Sequence, residues 1–324
     1  MHLLSAAPGA SARSPKAFLD LEQMRACAAA DRVGVHTLSE SAGKADLVLF
    51  VETSWGAGNY FGDVRRHAVL REYRAKSYLF CSADKVVPMI PGVFTSIERR
   101  WAWEPWARSA GYLGVRERGP LRHRPERTPT RLFSFVGSGA AHPVRARILR
   151  LAHPDALVTD PAAETPATRS EGGEESGYLD RYAESIHESA FVLCPRGGGA
   201  SSFRLFETMM LGRVPVIVSD DWVPPRGPEW DRISLRVLEA DVEAIPGLLE
   251  ARAPQAATMG AAAREAWVEW FSNDVAFHRT VESLLELGRA APARAGVRRF
   301  APYLQMARPY HAARAAAKRL GHHR

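Results

Sequence analysis

The chain of 324 residues has little cysteine, three residues at Cys27, Cys81 and Cys194. An odd number, so widely spaced, offers neither a disulfide framework nor a metal-ligand spacing, and fits thiols kept reduced inside a cell. Long apolar runs are lacking as well. No stretch approaches the roughly 18 or more apolar residues of a membrane-spanning helix. The opening MHLLSAAPGASARSPK has no charged start followed by a sustained apolar core, so no secretory leader is expected. Missing too are the Lys-Ser/Thr ending of a Walker loop, the spaced glycines of a dinucleotide fingerprint, and any helix-turn-helix, finger or RNA-binding signature. What is present is a globular composition, 46% hydrophobic and 24% charged, long enough for two domains that each bury a core. A net charge of +7 invites an anionic partner, but arginine is spread along the chain and charge alone chooses none.

Apolar runs alternate with helical patterns. ADLVLFV (45–51) reads as a buried parallel strand, a helix follows over 64–73, and SYLFCS (77–82) is the next strand. In DKVVPMIPGVFTSI two prolines limit any strand to short pieces. RERGPLRHRPERTPT (116–130) has no apolar period and reads as an interdomain linker. A second α/β series begins at RLFSFVG (131–137), with a helix over 143–151 and a strand at DALVTD. A loop, PAAETPATRSEGGEESG, comes next. It leads to a helix over 178–189, the strand AFVLCP, a glycine run, a helix over 202–211, the strand VPVIVSD (214–220) and long helices over 241–250 and 256–287. This rhythm predicts two parallel sheets with helices on their faces.

The glycine run carries the most chemistry. In FVLCP-RGGGA-SSFRLFETMML a loop leaves the carboxyl end of a parallel strand and enters a helix, where open α/β sheets place ligands. Glycines admit a ligand to the backbone N–H groups, and a helix start adds orphan donors and partial positive charge, a fit for an anion such as phosphate. Ser201 or Ser202 is the expected N-cap, and Phe203, Phe206, Met209 and Met210 form the expected core face. Arg204 and Glu207 fall on another face, either to reach one ligand or to pair with each other. Asp220 and Asp221 are adjacent rather than spaced as Asp-x-Asp, so no metal is expected there.

The order of features in ESAFVLCPRGGGASSFRLFETMMLGRVPVIVSDDWVPP resembles the signature region of the exostosin family, glycosyltransferase family 47. That family has a strand end of the type Phe/Leu-Cys/Val-Pro-Arg/Lys-Gly, a Ser-x-Arg-x-x-Glu helix start, a small-residue strand containing Pro-Val, and a Ser-Asp/Asn turn before proline. WDRISLRVLEADVEAIPGLL (230–249) and CSADKVVPMIP are similar to further family elements. The family's Gly-Arg-Asp/Asn-His element has only a distant counterpart, GDVRRH (62–67).

The resemblance implies a GT-B architecture, two Rossmann-like domains facing across a cleft. The expected division is an acceptor domain over 1–125, a nucleotide-sugar donor domain over 126–290, and a basic tail over 291–324 that packs back on the first domain or lies on an anionic membrane. It also implies inverting, metal-independent transfer from a nucleotide-sugar, uridine-linked, to a saccharide or lipid-linked saccharide. The nucleotide-sugar is a substrate and no cofactor is implied. By position, Arg196 would meet the donor diphosphate, the backbone of Gly197, Gly198, Gly199, Ser201 and Ser202 would line it, and Arg204 would add charge. Glu207 would meet the ribose or uridine side. Apart from the resemblance, Asp220 and Asp221, a carboxylate pair after a buried strand, either cap the strand end or orient the donor sugar. The acceptor base is sought at Glu52, Asp63 or His67. The expected location is the cytoplasm, with peripheral membrane attachment. A catalytically inactive donor-binding scaffold is the alternative, and a nucleic-acid-binding protein a more distant one.

Overall fold

The computed structural model describes residues 1–6, 15–52, 61–84, 86–103, 105–161 and 174–289. The chain divides into two compact units. Unit 1 takes 1–114, 223–226 and, from Asn273, the helix that ends the described chain; unit 2 takes Val115–Trp222 and Gly227–Ser272. The basic tail 291–324 lies outside the described residues.

Unit 1 holds a five-stranded sheet, β1 (His2–Leu4), β2 (Val48–Glu52), β3 (Ser77–Cys81), β4 (Gly92–Phe94) and β5 (Ala107–Ser109), in that order and all parallel. Side chains alternate between two buried faces. Val48, Phe50, Leu79 and Cys81 pack on one side with Val64 and Leu70, from α2 (Gly62–Arg66) and α3 (Ala68–Glu72). Leu49, Val51, Tyr78 and Phe80 pack on the other with Met24 and Cys27 of α1 (Pro15–Ala29) and with Phe277, Val281 and Leu284 of Asn273–Arg289, α10 in chain order. The helix expected over 64–73 is in fact two, because His67 is extended (φ −62°, ψ 134°) and its Nδ1 accepts a hydrogen bond from the Val69 N–H at 3.3 Å, which starts α3 afresh.

Unit 2 begins at 115, not near 126. The expected linker is packed into it: Leu121 is buried, and Glu117 pairs with Arg264 at 2.9 Å. The helical run expected over 256–287 breaks into α9 (Ala256–Trp270) and α10, with Phe271 and Ser272 between them, and α10 belongs to unit 1. The unit 2 sheet contains β6 (Arg131–Val136), β7 (Ala156–Thr159), β8 (Ser189–Pro195), β9 (Val214–Val218) and β10 (Leu235–Val237), all parallel, in the order β10-β9-β8-β6-β7. Its helices are α4 (Pro143–Ile148), α5 (Glu174–His187), α6 (Phe203–Met210), α7 (Trp230–Ile233), α8 (Ile245–Arg252) and α9. Phe133, Phe135, Phe191, Leu193, Val214 and Val216 form one core with Val144, Ile148, Val242 and Leu249. Among the described helices none is long and apolar enough to cross a membrane.

Two positions are set by close packing. Gly92 sits in β4 opposite Leu79, and a Cβ there would lie 1.9 Å from the Leu79 carbonyl oxygen. Backbone cannot move aside as a flexible side chain can, so Gly92→Ala is expected to cost about 3 kcal/mol or more in unit 1. Hydrogen exchange in β3 and β4 of the full chain checks this, as accelerated exchange confined to unit 1. His187, buried at the end of α5, has its pKa pushed down from 6.5 to about 4, mainly by desolvation and further by Arg124, Arg213 and Arg127. The unfolded chain therefore binds the proton more readily, and stability falls as pH drops from about 6.5 toward 4. Denaturant midpoints of unit 2 across that range should show the loss in the wild type and a flatter profile in His187→Gln.

Candidate functional site

Strand order in unit 2 fixes where a ligand can sit. From β6 the chain goes to β7 on one side, and β8 takes the place on the other side and continues to β9. The winding direction reverses between β6 and β8, and open α/β sheets bind ligands at the carboxyl ends of the strands flanking such a reversal. β6 ends there with Val136 and Gly137. β8 ends there with Pro195, followed by Arg196, the glycine run and α6.

Arg204, in the first turn of α6, fills this crevice. It is buried, 8% exposed, while Phe203 is 50% exposed. This reverses the expected core face, which had Phe203 inside and Arg204 outside. Leu205, Phe206, Met209 and Met210 form the buried side. The Arg204 guanidinium lies 4.8 Å from the centre of the Phe135 ring and 5.5 Å from that of Tyr182, and Nη2 donates to the Val136 carbonyl at 2.5 Å. Its Nε is buried without a hydrogen-bond partner. Glu207 does not pair with it; Glu207 accepts the Tyr182 hydroxyl at 2.6 Å instead. Burial and the neighbouring Glu207 carboxylate push the Tyr182 pKa far up, so the phenol keeps its proton and donates. Gly137 makes room for this: a Cβ would stand 2.8 Å from Arg204 Nη2.

A second arginine, Arg196, begins the loop. Its Nη1 meets Asp221 Oδ2 at 3.1 Å and Glu239 Oε1 at 3.5 Å. Arg145 of α4 then brackets the loop, donating from Nε to the Arg196 carbonyl at 2.8 Å and from Nη2 to the Pro195 carbonyl at 3.3 Å. A Cβ on Gly197 would come within 3.2 Å of Arg145 Nη2. Among the described glycines, positive φ is confined to Gly34, Gly119, Gly212 and Gly227, so left-handed backbone does not explain the run at Gly197, Gly198 and Gly199. Ser202 is the N-cap of α6 without a side-chain cap bond, and Ser201 is buried. The Ser219 hydroxyl donates to the Ala200 carbonyl at 2.8 Å, tying the end of β9 to the loop. Asp220 exchanges hydrogen bonds with Glu239, accepting from its N–H at 3.0 Å while its own N–H donates to Glu239 Oε1 at 3.1 Å.

The sequence missed Arg145, Phe135, Tyr182 and Glu239. Phe135 and Tyr182 read as ordinary core positions, Arg145 lies in a segment with no motif around it, and Glu239 falls within the family-like segment 230–249 without being singled out there as a site residue. Only the fold brings them to the loop. Cys194 is buried beside the site, and burial pushes its thiol up to about 12, so it is protonated and inert.

The residues sought as a base lie in unit 1. Glu52, buried at the end of β2, accepts from the Ala6 N–H at 2.7 Å and the Ser5 hydroxyl at 3.1 Å. Asp63 is exposed and pairs with Arg66 at 2.9 Å. His67, as the α3 cap, uses Nδ1 as acceptor, which places a neutral ring's proton on Nε2. Its edge rests on Phe50, with ring centres 5.4 Å apart.

Comparison with known proteins meets this geometry in unit 2. Over 70 residues the chain is 41% identical to an exostosin-1 homolog of Caenorhabditis elegans, covering 21% of this chain and 18% of that protein. Over 89 residues it is 43% identical to a probable glucuronoxylan glucuronosyltransferase of Arabidopsis thaliana, covering 25% and 20%. The matches thus span about a fifth of the length of these curated relatives. A solved glycosyltransferase from Rickettsia africae aligns over 86% of this chain and 83% of its own with a TM-score of 0.41 and 12% identity. The model of the exostosin GT47 domain matches residues 115–251, beginning at the residue where unit 2 begins. Residues 115–251 are thus similar to the exostosin GT47 domain, and the loop after β8 with its buried arginine lies within the matched residues.

Proposed function

We propose that unit 2 binds a nucleoside diphosphate sugar, uridine-linked, and that the protein transfers the sugar with inversion and without a metal to a saccharide or lipid-linked saccharide. The observation that carries this reading is Arg204. Among the described residues no carboxylate stands within ion-pair distance of its guanidinium, which Glu207 supports only from farther away, yet it is buried at the switch point. Buried cations ordinarily have a counter-ion, and a diphosphate in the crevice supplies one. Arg196 and the start of α6 add preorganised positive charge for the departing nucleoside diphosphate. The backbone of Gly197, Gly198, Gly199, Ser201 and Ser202 lines it, and Glu207, oriented by Tyr182, faces the nucleoside side. Asp221 holds Arg196 in place, and Asp220 holds the neighbouring turn. Since relatives are named as glucuronosyltransferases, glucuronosyl donors are the first sugars to test. The site of action is the cytoplasmic face of a membrane, with the basic residues of 291–324 attracted to anionic lipid.

A proton must leave the acceptor hydroxyl as the new bond forms, and Glu52 is the leading base, with Asp63 and His67 behind it. One observation favours a second reading: each of these three is already engaged, Glu52 by Ser5 and Ala6, Asp63 by Arg66, and His67 as a cap. A scaffold that binds donor without turnover is that alternative.

Calorimetry with uridine diphosphate in buffer containing a chelator tests the donor site. The wild type is expected to bind, and Arg196→Ala to bind about ten- to a hundredfold more weakly, the worth of a charge-assisted contact. No binding by folded wild type refutes the donor site. Replacing Glu52 by Gln is expected to lower turnover by about 10²- to 10⁴-fold with diphosphate affinity unchanged. Binding without turnover on any acceptor in the wild type itself would leave the scaffold.

A further inference from the structure

We propose that unit 1 contains a binding site for a divalent transition metal of the zinc class, formed by His36, His278 and Glu282. The site is separate from the loop after β8 and independent of the function proposed for it.

His278 and Glu282 stand four residues apart on α10, on one face of the helix. His36 comes from the segment after α1. There Gly34 turns the chain at φ +68° and donates its N–H to Asp31 Oδ2 at 3.1 Å. One ligand atom from each of the three residues lies within 4.8 Å of the others. His36 Nε2 is 2.7 Å from Glu282 Oε1, and the rings of His36 and His278 stack with centres 5.1 Å apart at 20°. The arrangement leaves one group unserved, because Glu282 satisfies His36 while His278 Nδ1 is buried with no hydrogen-bond partner. A shared cation resolves this, since it takes an electron pair from each imidazole and from the carboxylate at once.

Two imidazoles and a carboxylate are a donor set for zinc, cobalt, nickel or copper, and not for calcium or magnesium, which take oxygen. Bonds of about 2.0–2.2 Å put tetrahedral ligand atoms about 3.3 Å apart. The cluster reaches that spacing by side-chain rotation, with the Glu282 side chain 37% exposed and able to turn. A fourth position is left to water. The ion would fasten the segment after α1 to α10 near a clasp already present, where the Arg32 N–H donates to the Asp274 carbonyl at 2.9 Å. Metal binding should therefore stabilise the face of the sheet that α1 and α10 cover.

The experiment is titration of the chelator-stripped full chain with zinc by calorimetry and with cobalt by visible absorption, together with thermal unfolding. The expected result is one ion per chain, cobalt bands of tetrahedral intensity, and a melting temperature raised by several degrees. His278→Ala and His36→Ala should weaken binding at least thirtyfold. Glu282→Gln, at a partly exposed site, should weaken it about tenfold while the unfolding of the metal-free protein stays where it was, which keeps the test valid if a histidine variant folds poorly. The chain also ends in Gly-His-His-Arg, so His322→Ala with His323→Ala serves as the control and should retain the ion. Absence of stoichiometric binding, equal affinity in the three site variants, or loss of the ion only in the terminal double variant would each overturn the proposal.

Discussion

A guanidinium buried between two aromatic rings, with a carbonyl oxygen at one edge and, among the described residues, no carboxylate within ion-pair distance, sets the arrangement of unit 2. Arg204 can occupy that place because Gly137 leaves room at the end of β6 and because Phe135 and Tyr182 offer ring faces, while the Tyr182 hydroxyl donates to Glu207. The contacts around Arg196 have the opposite character. Its charge is met by Asp221 and Glu239, and Arg145 fastens the loop carbonyls from behind. Carboxylates anchor Arg196 while ring faces and a carbonyl hold Arg204, and these contacts fix both ends of the loop between them. Preorganisation of this kind lowers the reorganisation needed when charge develops.

Much of unit 2 was legible in the sequence because its strands are continuous apolar runs and its turns carry glycine and proline at informative places. β6, β8, α6 and β9 fall close to where pattern and punctuation put them, and the motif around Arg196 and Glu207 pointed to the family whose domain model is similar to residues 115–251. What could not be read was depth. A helix of eight residues with Phe203, Arg204 and Phe206 at its start allows two rotations about its axis, and hydrophobicity prefers the one that buries Phe203. The crevice after β6 decides otherwise, since a guanidinium flanked by rings is itself well packed.

Unit 1 was harder. β1 is three residues long and α1 has a weak amphipathic pattern, so neither announces itself, and both depend on tertiary contacts for their existence. His36, His278 and Glu282 are separated by most of the chain and have no motif spacing beyond the four-residue step on α10. Their meeting is a property of the fold alone. The same holds for the place of α10, which follows α9 after a two-residue break and reads as its continuation.

That placement of α10 has a consequence for synthesis. Leu49, Phe80 and Val93 of the first sheet, with Met24 of α1, share a core with Phe277, Val281 and Leu284, which leave the ribosome only after all of unit 2 has been made. The intervening domain is contiguous apart from the short excursion at 223–226 and can close on its own residues first. The first sheet is thus translated before unit 2 and finished after it. During that interval its apolar face is what a chaperone would meet.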